Sequence, residues 1–343
     1  MKLIVTGGAG FIGSGFIRWA LTEHSGIEIV NLDTLTYAGN LENLTSVERD
    51  SRYRFVRADI CDADAVNRLF DEFGPEAVVH FAAESHVDRS ILSPSAAIDT
   101  NVRGTFMLLE AARRCQVRRF VHVSTDEVYG SLEPPIHADE SFPLVPSSPY
   151  SASKAGSDLL ALSYVKTFGL DVVVTRAANN YGPYQFPEKL IPLMISNAID
   201  GEPLPVYGDG LQVRDWLHVD DHCRAVWAVL ASGTRGSVYN VSADQPVANI
   251  DLVRRILEIV GASESLIRYV TDRPGHDRRY AITSEKLRRE TGWTPRHAVK
   301  EGLADTVDWY RRNQEWVRRV KSKSYLEYYE KNYAGRTSNA SVQ

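Results

Sequence analysis

The glycine-rich segment after the first apolar run most constrains the fold. Residues 3–6 (LIVT) are typical of a buried strand, the sequence GGAGFIG follows them directly, and a helical pattern begins at Phe11. Gly7, Gly10 and Gly13 permit a tight turn in which backbone N–H groups approach an anion, and the beginning of a helix adds favourable potential for negative charge. The segment therefore predicts a strand, a turn and a helix that hold the pyrophosphate of a dinucleotide.

Strands and helices alternate through the first half of the chain. Residues 27–32, 53–57, 77–82, 119–124 and 171–176 predict further strands, and residues 11–23, 64–73, 101–115 and 150–168 predict helices. Continuously apolar strands between helices indicate a parallel sheet that helices cover on both faces. We expect an α/β fold, namely a Rossmann-type doubly wound parallel sheet with a smaller C-terminal substrate-binding domain.

Composition narrows the class of protein. The chain has 343 residues, of which 43% are hydrophobic and 24% charged, and its net charge is −5. It is therefore expected to be globular and not a nucleic-acid binder. Cys61, Cys115 and Cys223 are odd in number and lack metal-ligand spacing, which indicates reduced cysteines in a cytoplasmic protein without a metal site. The N-terminal apolar run is too short for a signal peptide or a membrane span.

A carboxylate after the second predicted strand indicates which dinucleotide binds. Asp33 lies 20 residues beyond Gly13, where a carboxylate accepts hydrogen bonds from a ribose diol and repels a 2′-phosphate. The sequence therefore favours NAD over NADP. Asp59 follows the third strand near the expected adenine position, although a loop or helix cap explains it equally well. The predicted cofactor site comprises Gly7, Gly10, Phe11, Ile12, Gly13, Asp33, Asp59, Ile60, Phe81, Ala82, Ala83, Tyr150 and Lys154.

Two groups of reactive side chains follow the fifth predicted strand. Tyr150 and Lys154 are four residues apart, so they share one face of a helix. An ammonium group beside a phenol stabilises the phenolate and lowers its pKa from about 10. The phenolate then takes a hydroxyl proton while hydride leaves the same carbon. Thr125, Asp126 and Glu127 come directly after the strand. Adjacent carboxylates raise one pKa of the pair, which suits an acid beside a base. Capping of a loop or helix is the alternative explanation for the two residues.

These segments resemble the extended short-chain dehydrogenases/reductases and, more narrowly, the dTDP-glucose 4,6-dehydratases. The resemblance covers nearly the whole chain, including VTGGAGFIGS, HFAAESHVDRSI, STDEVYGS, SPYSASKAGSD, FPEKLIP and RPGHDRRY. The first and fourth of these segments are typical of the whole superfamily. The DE of STDEVYG, FPEKLIP and RPGHDRRY are more specific, because superfamily epimerases usually carry small or hydroxyl residues where Asp126 and Glu127 stand.

The resemblance implies a reaction and a role for each reactive residue. Tyr150, assisted by Thr125 and Lys154, would deprotonate the glucosyl 4-hydroxyl while NAD takes the C4 hydride. Glu127 would then remove the C5 proton, Asp126 would protonate the departing C6 hydroxyl, and hydride would return to C6. The expected conversion is that of dTDP-glucose to dTDP-4-keto-6-deoxyglucose. An NAD-dependent 4-epimerase, a 4,6-dehydratase for a UDP-sugar and a non-catalytic NAD-binding protein are the alternatives.

The diphosphate of a nucleotide sugar requires cations. Arg214 and Arg273 are the candidates, because guanidinium pairs bidentately with phosphate. Tyr207 is expected to stack on the pyrimidine. With the resemblance, the expected substrate site comprises Ser85, Asn179, Glu188, Lys189, Leu190, Pro205, Tyr207, Arg214, Asn249, Arg273 and His276.

Domain organisation and assembly complete the predictions. Prolines and glycine-rich turns become frequent after residue 176. We predict an NAD-binding Rossmann domain over 1–176, to which residues near 215–245 return, a domain that mainly binds the sugar nucleotide over 177–333, and a disordered tail over 334–343. The second domain is expected to contain helices at residues 252–260, 284–291 and 299–320. The helices at 101–115 and 150–168 are apolar on more than one face, so by resemblance we expect a homodimer with a four-helix interface.

Overall fold

The computed structural model describes residues 1–321. The strands are β1 (Lys2–Thr6), β2 (Glu28–Asp33), β3 (Tyr53–Arg57), β4 (Ala77–His80), β5 (Arg119–Thr125), β6 (Val172–Ala177), β7 (Asn179–Tyr181), β8 (Leu204–Tyr207), β9 (Val213–His218), β10 (Val238–Val241), β11 (Pro246–Ala248) and β12 (Ile267–Val270). The helices are α1 (Phe11–Glu23), α2 (Ala63–Phe73), α3 (Val87–Leu92), α4 (Pro94–Ile98), α5 (Thr105–Arg114), α6 (Pro149–Phe168), α7 (Leu190–Asp200), α8 (Val219–Ser232), α9 (Asn249–Val260), α10 (Glu285–Thr291), α11 (Val299–Arg312) and α12 (Gln314–Val320).

Seven strands form one parallel sheet in the order β10-β6-β5-β4-β1-β2-β3. Six of them follow the 3-2-1-4-5-6 order of dinucleotide-binding folds, and β10 adds a seventh beside β6, with Val238 opposite Val174. One face is covered by α1 and α8, and the other by α2, α5 and α6. The predicted α/β class with a doubly wound parallel sheet is confirmed. The domain boundaries stay a prediction.

Helix α6 is fixed at both ends by local interactions. Ser148 Oγ accepts a hydrogen bond from the Ser151 N–H (3.1 Å), and Ser151 Oγ accepts one from the Ser148 N–H (3.0 Å). Pro149 occupies the first helical position, where no N–H is needed, and Gly169 ends the helix with φ +74°. Tyr150 and the residue four positions later therefore lie in the first two turns of a well-defined helix.

The region after β6 contains more regular structure than the sequence indicated. Apart from β10, its strands form a three-stranded sheet (β11-β9-β7) and a two-stranded sheet (β12-β8). Helices α7, α9, α11 and α12 pack against these sheets. Helix α7 was not predicted because Pro192 interrupts the pattern. That proline is the third helical residue. An N–H at this position has no partner within a helix, so the helix tolerates a proline there.

Two other predicted elements differ from the structure, and a third cannot be compared with it. The helix expected over 299–320 is two helices, α11 and α12, separated at Asn313. The helix expected from residue 101 begins as a π-helical turn over Asp99–Gly104, which precedes α5. The predicted tail at 334–343 lies outside the described residues. No helix within residues 1–321 is both long and apolar enough to cross a membrane.

A buried ion pair joins α6 to the sheet. Asp158 Oδ2 accepts a hydrogen bond from Arg176 Nε at 2.8 Å, and Asp158 Oδ1 lies 3.3 Å from His122 Nε2. Burial alone would raise the pKa of Asp158, but His122 and the positive charge of Arg176 lower it below the ordinary value. The guanidinium also donates to the Tyr129 hydroxyl (2.9 Å). The carboxylate is therefore ionised inside the core, where the Arg176 guanidinium balances its charge.

Replacing Asp158 by asparagine should lower the free energy of unfolding by about 3 kcal/mol, because it leaves the Arg176 charge buried without its partner. Urea denaturation followed by tryptophan fluorescence measures the change. The matched control is Asp308→Asn, which removes an exposed pair with Arg312 and should leave the midpoint unchanged. Equal effects of the two substitutions would contradict the assignment.

Candidate active site

The carboxyl ends of five parallel strands open into one cavity. Its walls come from the ends of β1, β2, β4, β5 and β6, from the beginning of α1 and from the loops beyond these strands. Every residue of the predicted cofactor site lines this cavity, from Gly7 to Lys154. The cavity also contains Thr125 and Glu127, so the expected cofactor and reaction centres share one space.

The glycine-rich turn at one end is packed too tightly for side chains. Gly7 has φ +70°, and a Cβ atom there would lie 2.6 Å from the Ala82 nitrogen. A Cβ atom on Gly13 would lie 2.3 Å from the Gly7 carbonyl oxygen. Gly10 precedes α1 without a side-chain cap, which leaves the first N–H groups of the helix for a ligand. The turn therefore fits a phosphate group at the helix N-terminus.

Asp33 is held firmly at the side of the cavity. Its Oδ2 accepts a hydrogen bond from the Ala9 N–H (2.9 Å), and its Oδ1 accepts one from the Leu35 N–H (2.8 Å). Burial raises the pKa of Asp33, and the two backbone hydrogen bonds oppose that effect. Asp59 lines the cavity and also accepts a hydrogen bond from the Cys61 N–H (2.8 Å), so its cofactor and loop-capping explanations both fit the geometry.

The adjacent carboxylates lie in a turn of 3₁₀ helix that begins where β5 ends. Thr125 Oγ1 accepts a hydrogen bond from the Glu127 N–H and donates one to Asp126 Oδ1, both at 3.3 Å. Asp126 is 1% exposed, and its Oδ2 has no partner within residues 1–321. A buried, unpartnered carboxyl oxygen is costly when charged, which favours the protonated acid.

Electrostatic surroundings separate the protonation states of the two carboxyls. Burial raises the pKa of Asp126 well above its ordinary value, and the negative charge of Glu127 adds to the effect. Burial also raises the pKa of Glu127. Three cations oppose the latter shift, namely Arg273, Arg214 and Lys189. Asp126 is therefore the member that more strongly favours the protonated form, and Glu127 is the member on which more cations act in favour of the carboxylate.

Tyr150 and Lys154 are both almost completely buried. Lys154 Nζ donates a hydrogen bond to the Val123 carbonyl (2.8 Å), and burial lowers the pKa of Lys154 to about 8. Burial raises the pKa of Tyr150, Glu127 raises it further, and the Thr125 hydroxyl opposes the shift. The expectation of a lowered phenol pKa is therefore wrong for the chain alone, because desolvation and the negative charge of Glu127 outweigh the hydrogen bond with Thr125.

The predicted substrate residues fall into three groups. Ser85, Asn179, Glu188 and Lys189 line the cavity, and Lys189 Nζ donates to the Ser85 carbonyl (2.7 Å). Tyr207, Arg273 and His276 form a neighbouring group in which both the Tyr207 hydroxyl (3.0 Å) and the Arg273 guanidinium (2.9 Å) donate to Asp88.

The remaining four substrate candidates lie away from the cavity lining. Arg214 is buried and donates to the Asp277 carbonyl (2.9 Å). Pro205 is buried within β8. Leu190 begins α7 and packs against the apolar core that α7 shares with α9, α11 and α12. Asn249 begins α9, and its Oδ1 has no partner within the described residues. Their assignment to the substrate stays a prediction.

Sequence reasoning missed several residues of the site. Asp88 holds Tyr207 and Arg273, and Arg89 pairs with Glu188 at 3.0 Å. Asp88 and Arg89 belong to HVDRS, so that segment carried a signal. Asn180, Gln185 and His222 also line the cavity. The sequence carried no signal for them, because isolated amides and an isolated histidine form no motif.

One group of potential metal ligands lies away from the cavity. Among residues 1–321, His218, Asp220 and His297 offer ligand atoms within 4.8 Å of one another. The two imidazole rings stack with centroids 4.0 Å apart and an interplanar angle of 26°. Because ligating lone pairs lie in the ring plane, stacked rings direct them side by side and not toward one ion.

The fold and the site together define an extended short-chain dehydrogenase/reductase. A family model described as GDP-mannose 4,6 dehydratase matches residues 4–306. The curated dTDP-glucose 4,6-dehydratase of Shigella flexneri is 51% identical, and the alignment covers 98% of this chain and 100% of that protein.

Two solved structures agree with this similarity. The dTDP-glucose 4,6-dehydratase DesIV of Streptomyces venezuelae, with NAD and a second ligand bound, is 52% identical and superimposes with a TM-score of 0.91 over 94% of this chain and 100% of that one. The enzyme of Bacillus anthracis in complex with NAD is 48% identical, with a TM-score of 0.88 over 94% and 100%. The chain belongs to the dTDP-glucose 4,6-dehydratase family.

The glycine turn makes a specific prediction for cofactor binding. Gly13→Ala should weaken NAD binding at least tenfold, because its Cβ would displace the Gly7 carbonyl and open the turn. Isothermal titration calorimetry measures the affinity. Gly26→Ala is the control, since a Cβ there meets no atom within 4 Å, and its affinity should equal that of the wild type. Unchanged affinity in Gly13→Ala would contradict the role of the turn.

Proposed function

We propose that this chain is an NAD-dependent nucleotide-sugar 4,6-dehydratase, a hydro-lyase that converts dTDP-glucose to dTDP-4-keto-6-deoxyglucose. The observation that carries the proposal is the pair of adjacent carboxyls, Asp126 and Glu127, close to Tyr150, with Glu127 and Tyr150 lining the dinucleotide cavity. Oxidation at one carbon needs only the tyrosine. Loss of water from the neighbouring carbons needs both a base and an acid.

The cavity fits NAD at both of its recognition points. The uncapped beginning of α1 suits the pyrophosphate, and the Asp33 carboxylate suits a ribose diol and disfavours a 2′-phosphate. Bound NAD supplies the oxidation at C4 of the sugar and the matching reduction at C6. Since the oxidation and the reduction cancel, the reaction consumes no cofactor.

Tyr150 is the residue that takes the proton of the 4-hydroxyl. Its buried phenol is reluctant to ionise in the chain alone. A reluctant phenolate is a strong base once formed, and the Lys154 ammonium and the Thr125 hydroxyl stabilise charge as it develops. Lys154 is anchored by the Val123 carbonyl and keeps its position through this change.

Glu127 and Asp126 divide the elimination between them. A ketone at C4 acidifies the C5 proton, and Glu127, the member of the pair that cations favour as a carboxylate, removes it. Asp126 holds its proton on a buried carboxyl and delivers it to the departing C6 hydroxyl, so that water leaves. A 4-epimerase has no use for such an acid and base, and their presence therefore disfavours that alternative.

The cations around Glu127 also suit the nucleotide diphosphate. Arg273 and Lys189 lie close enough to affect the charge of this carboxylate, and both are half-buried. Tyr207 is our candidate for contact with the nucleobase, and its ring centroid lies 6.0 Å from that of His276. The same cluster thus holds the substrate diphosphate and keeps the catalytic base ionised.

The three cysteines are free, which agrees with a reducing cytoplasm.

Glu127→Gln should lower kcat for dTDP-glucose about 10²–10⁴-fold, because glutamine cannot accept the C5 proton. Formation of the 4-keto product, followed by its absorbance in base, measures the rate. Glu133→Gln, an exposed residue in the following loop, is the control and should keep full activity. A product rate near that of the wild type in Glu127→Gln would show that another residue is the base.

We also propose a homodimer formed by α5 and α6 of two chains. Phe106, Leu159 and Phe168 are 39%, 61% and 51% exposed on these helices. Their exposure supports a partner helix pair, because packing against a second chain would remove these large apolar side chains from water. Leu108 and Leu109, which lie on another face of α5, are instead fully buried in the core of the same chain.

Light scattering should give twice the mass of one chain at micromolar concentration. The double substitution Phe106→Arg and Leu159→Arg should halve that mass, because it places four charges in the proposed four-helix interface. Tyr269→Arg, which changes an equally exposed aromatic residue on β12, should leave the mass unchanged. A wild-type protein with the mass of one chain would refute the dimer.

A further inference from the structure

His222 is a buried polar side chain that the proposed reaction does not use. It is the fourth residue of α8, it is fully buried, and it lines the cavity. Its Nδ1 lies 3.0 Å from Asn180 Oδ1, whereas its Nε2 has no hydrogen-bond partner within the described part of the chain. A buried imidazole nitrogen without a partner costs free energy unless a ligand supplies one.

The hydrogen bonds of Asn180 determine which nitrogen of His222 carries the proton. Asn180 Nδ2 donates to the Ala178 carbonyl at 3.0 Å, so the amide oxygen faces the imidazole. An amide oxygen only accepts hydrogen bonds, and Nδ1 must therefore be the protonated nitrogen. Burial lowers the pKa of His222 to about 4, so the ring is neutral at neutral pH. Nε2 is consequently a pure acceptor that requires a donor.

The position of His222 selects the part of the ligand that faces it. Asn180 lies shortly after the end of β6, and that end is paired with Thr125 at the end of β5. Because His222 contacts Asn180, it lies at the reaction end of the cavity. The next residue, Cys223, approaches the Ile12 carbonyl (3.8 Å), which seats α8 against the beginning of α1. Asn179 Oδ1 and Gln185 Oε1 line the same end and also lack partners within residues 1–321. This end is therefore rich in acceptors and suits a ligand group that donates.

We propose that His222 binds the nicotinamide half of the dinucleotide by accepting, at Nε2, a hydrogen bond from the carboxamide N–H. The inference rests on the proposed NAD-dependent function. It assigns to His222 the orientation of the nicotinamide ring, because a fixed carboxamide fixes the face that the ring presents to the sugar. The carboxamide N–H is the donor of that ring, and the tautomer of His222 is set in advance to receive it.

Comparison of two dinucleotides tests the proposal without an activity assay. NAD and its 3-acetylpyridine analogue differ in that the analogue replaces the amide NH₂ by a methyl group. Calorimetry on the wild-type chain should show NAD binding about tenfold more tightly, as expected for loss of a donor to a buried acceptor. In His222→Phe, which keeps a planar ring without nitrogens, the two affinities should become equal. His222→Gln restores an acceptor and should recover part of the preference.

A spectroscopic measurement on the wild-type protein guards against misfolding of the variants. Nitrogen-15 NMR should show His222 protonated at Nδ1 alone, and NAD should shift the Nε2 resonance whereas the acetylpyridine analogue should not. An unchanged preference in His222→Phe, or an Nε2 resonance insensitive to NAD, would overturn the inference while leaving the proposed function intact. Failure of NAD to bind the wild-type chain would instead refute the proposed function.

Discussion

Asp158 lies one helical turn beyond Lys154, and its buried carboxylate holds α6 against two central strands. Arg176 on β6 donates to it, and His122 on β5 lies beside it. Since α6 also carries Tyr150, this contact sets the position of the phenol relative to the strand ends. A hydrophobic contact would hold the helix but allow it to slide. A charged pair with defined geometry fixes both its height and its rotation.

Local sequence signals predicted the sheet, and they selected cofactor candidates that the fold brings together. Gly7, Gly13 and Asp33 each depend on a position within or just after one strand or turn, so spacing along the chain was sufficient to find them. All the residues predicted for the cofactor line one cavity. Helix α7 was missed for an equally local reason, since Pro192 breaks a helix anywhere except in its first turn.

The substrate side depends on contacts between distant parts of the chain, which periodicity does not reveal. Asp88 holds Arg273 across 185 residues, and Glu188 meets Arg89 across 99. The pKa of Tyr150 is a second property that sequence patterns do not reveal. Its sequence neighbour Lys154 suggested a lowered value, but the depth of the cavity, which only the complete fold creates, raises it. The balance between burial and neighbouring charge is thus a property of tertiary structure.

Strand β10 reaches the sheet only after the chain has formed β7, α7, β8, β9 and α8. Until Val238–Val241 have been synthesised, β6 is an open edge with unpaired backbone groups, which invites association with other unfinished chains. The seven-stranded sheet therefore cannot be completed on the ribosome before the segment from β7 to α8 has emerged. The order of the strands couples the two regions during biosynthesis, so neither can be produced as an intact unit by cutting the chain at residue 176.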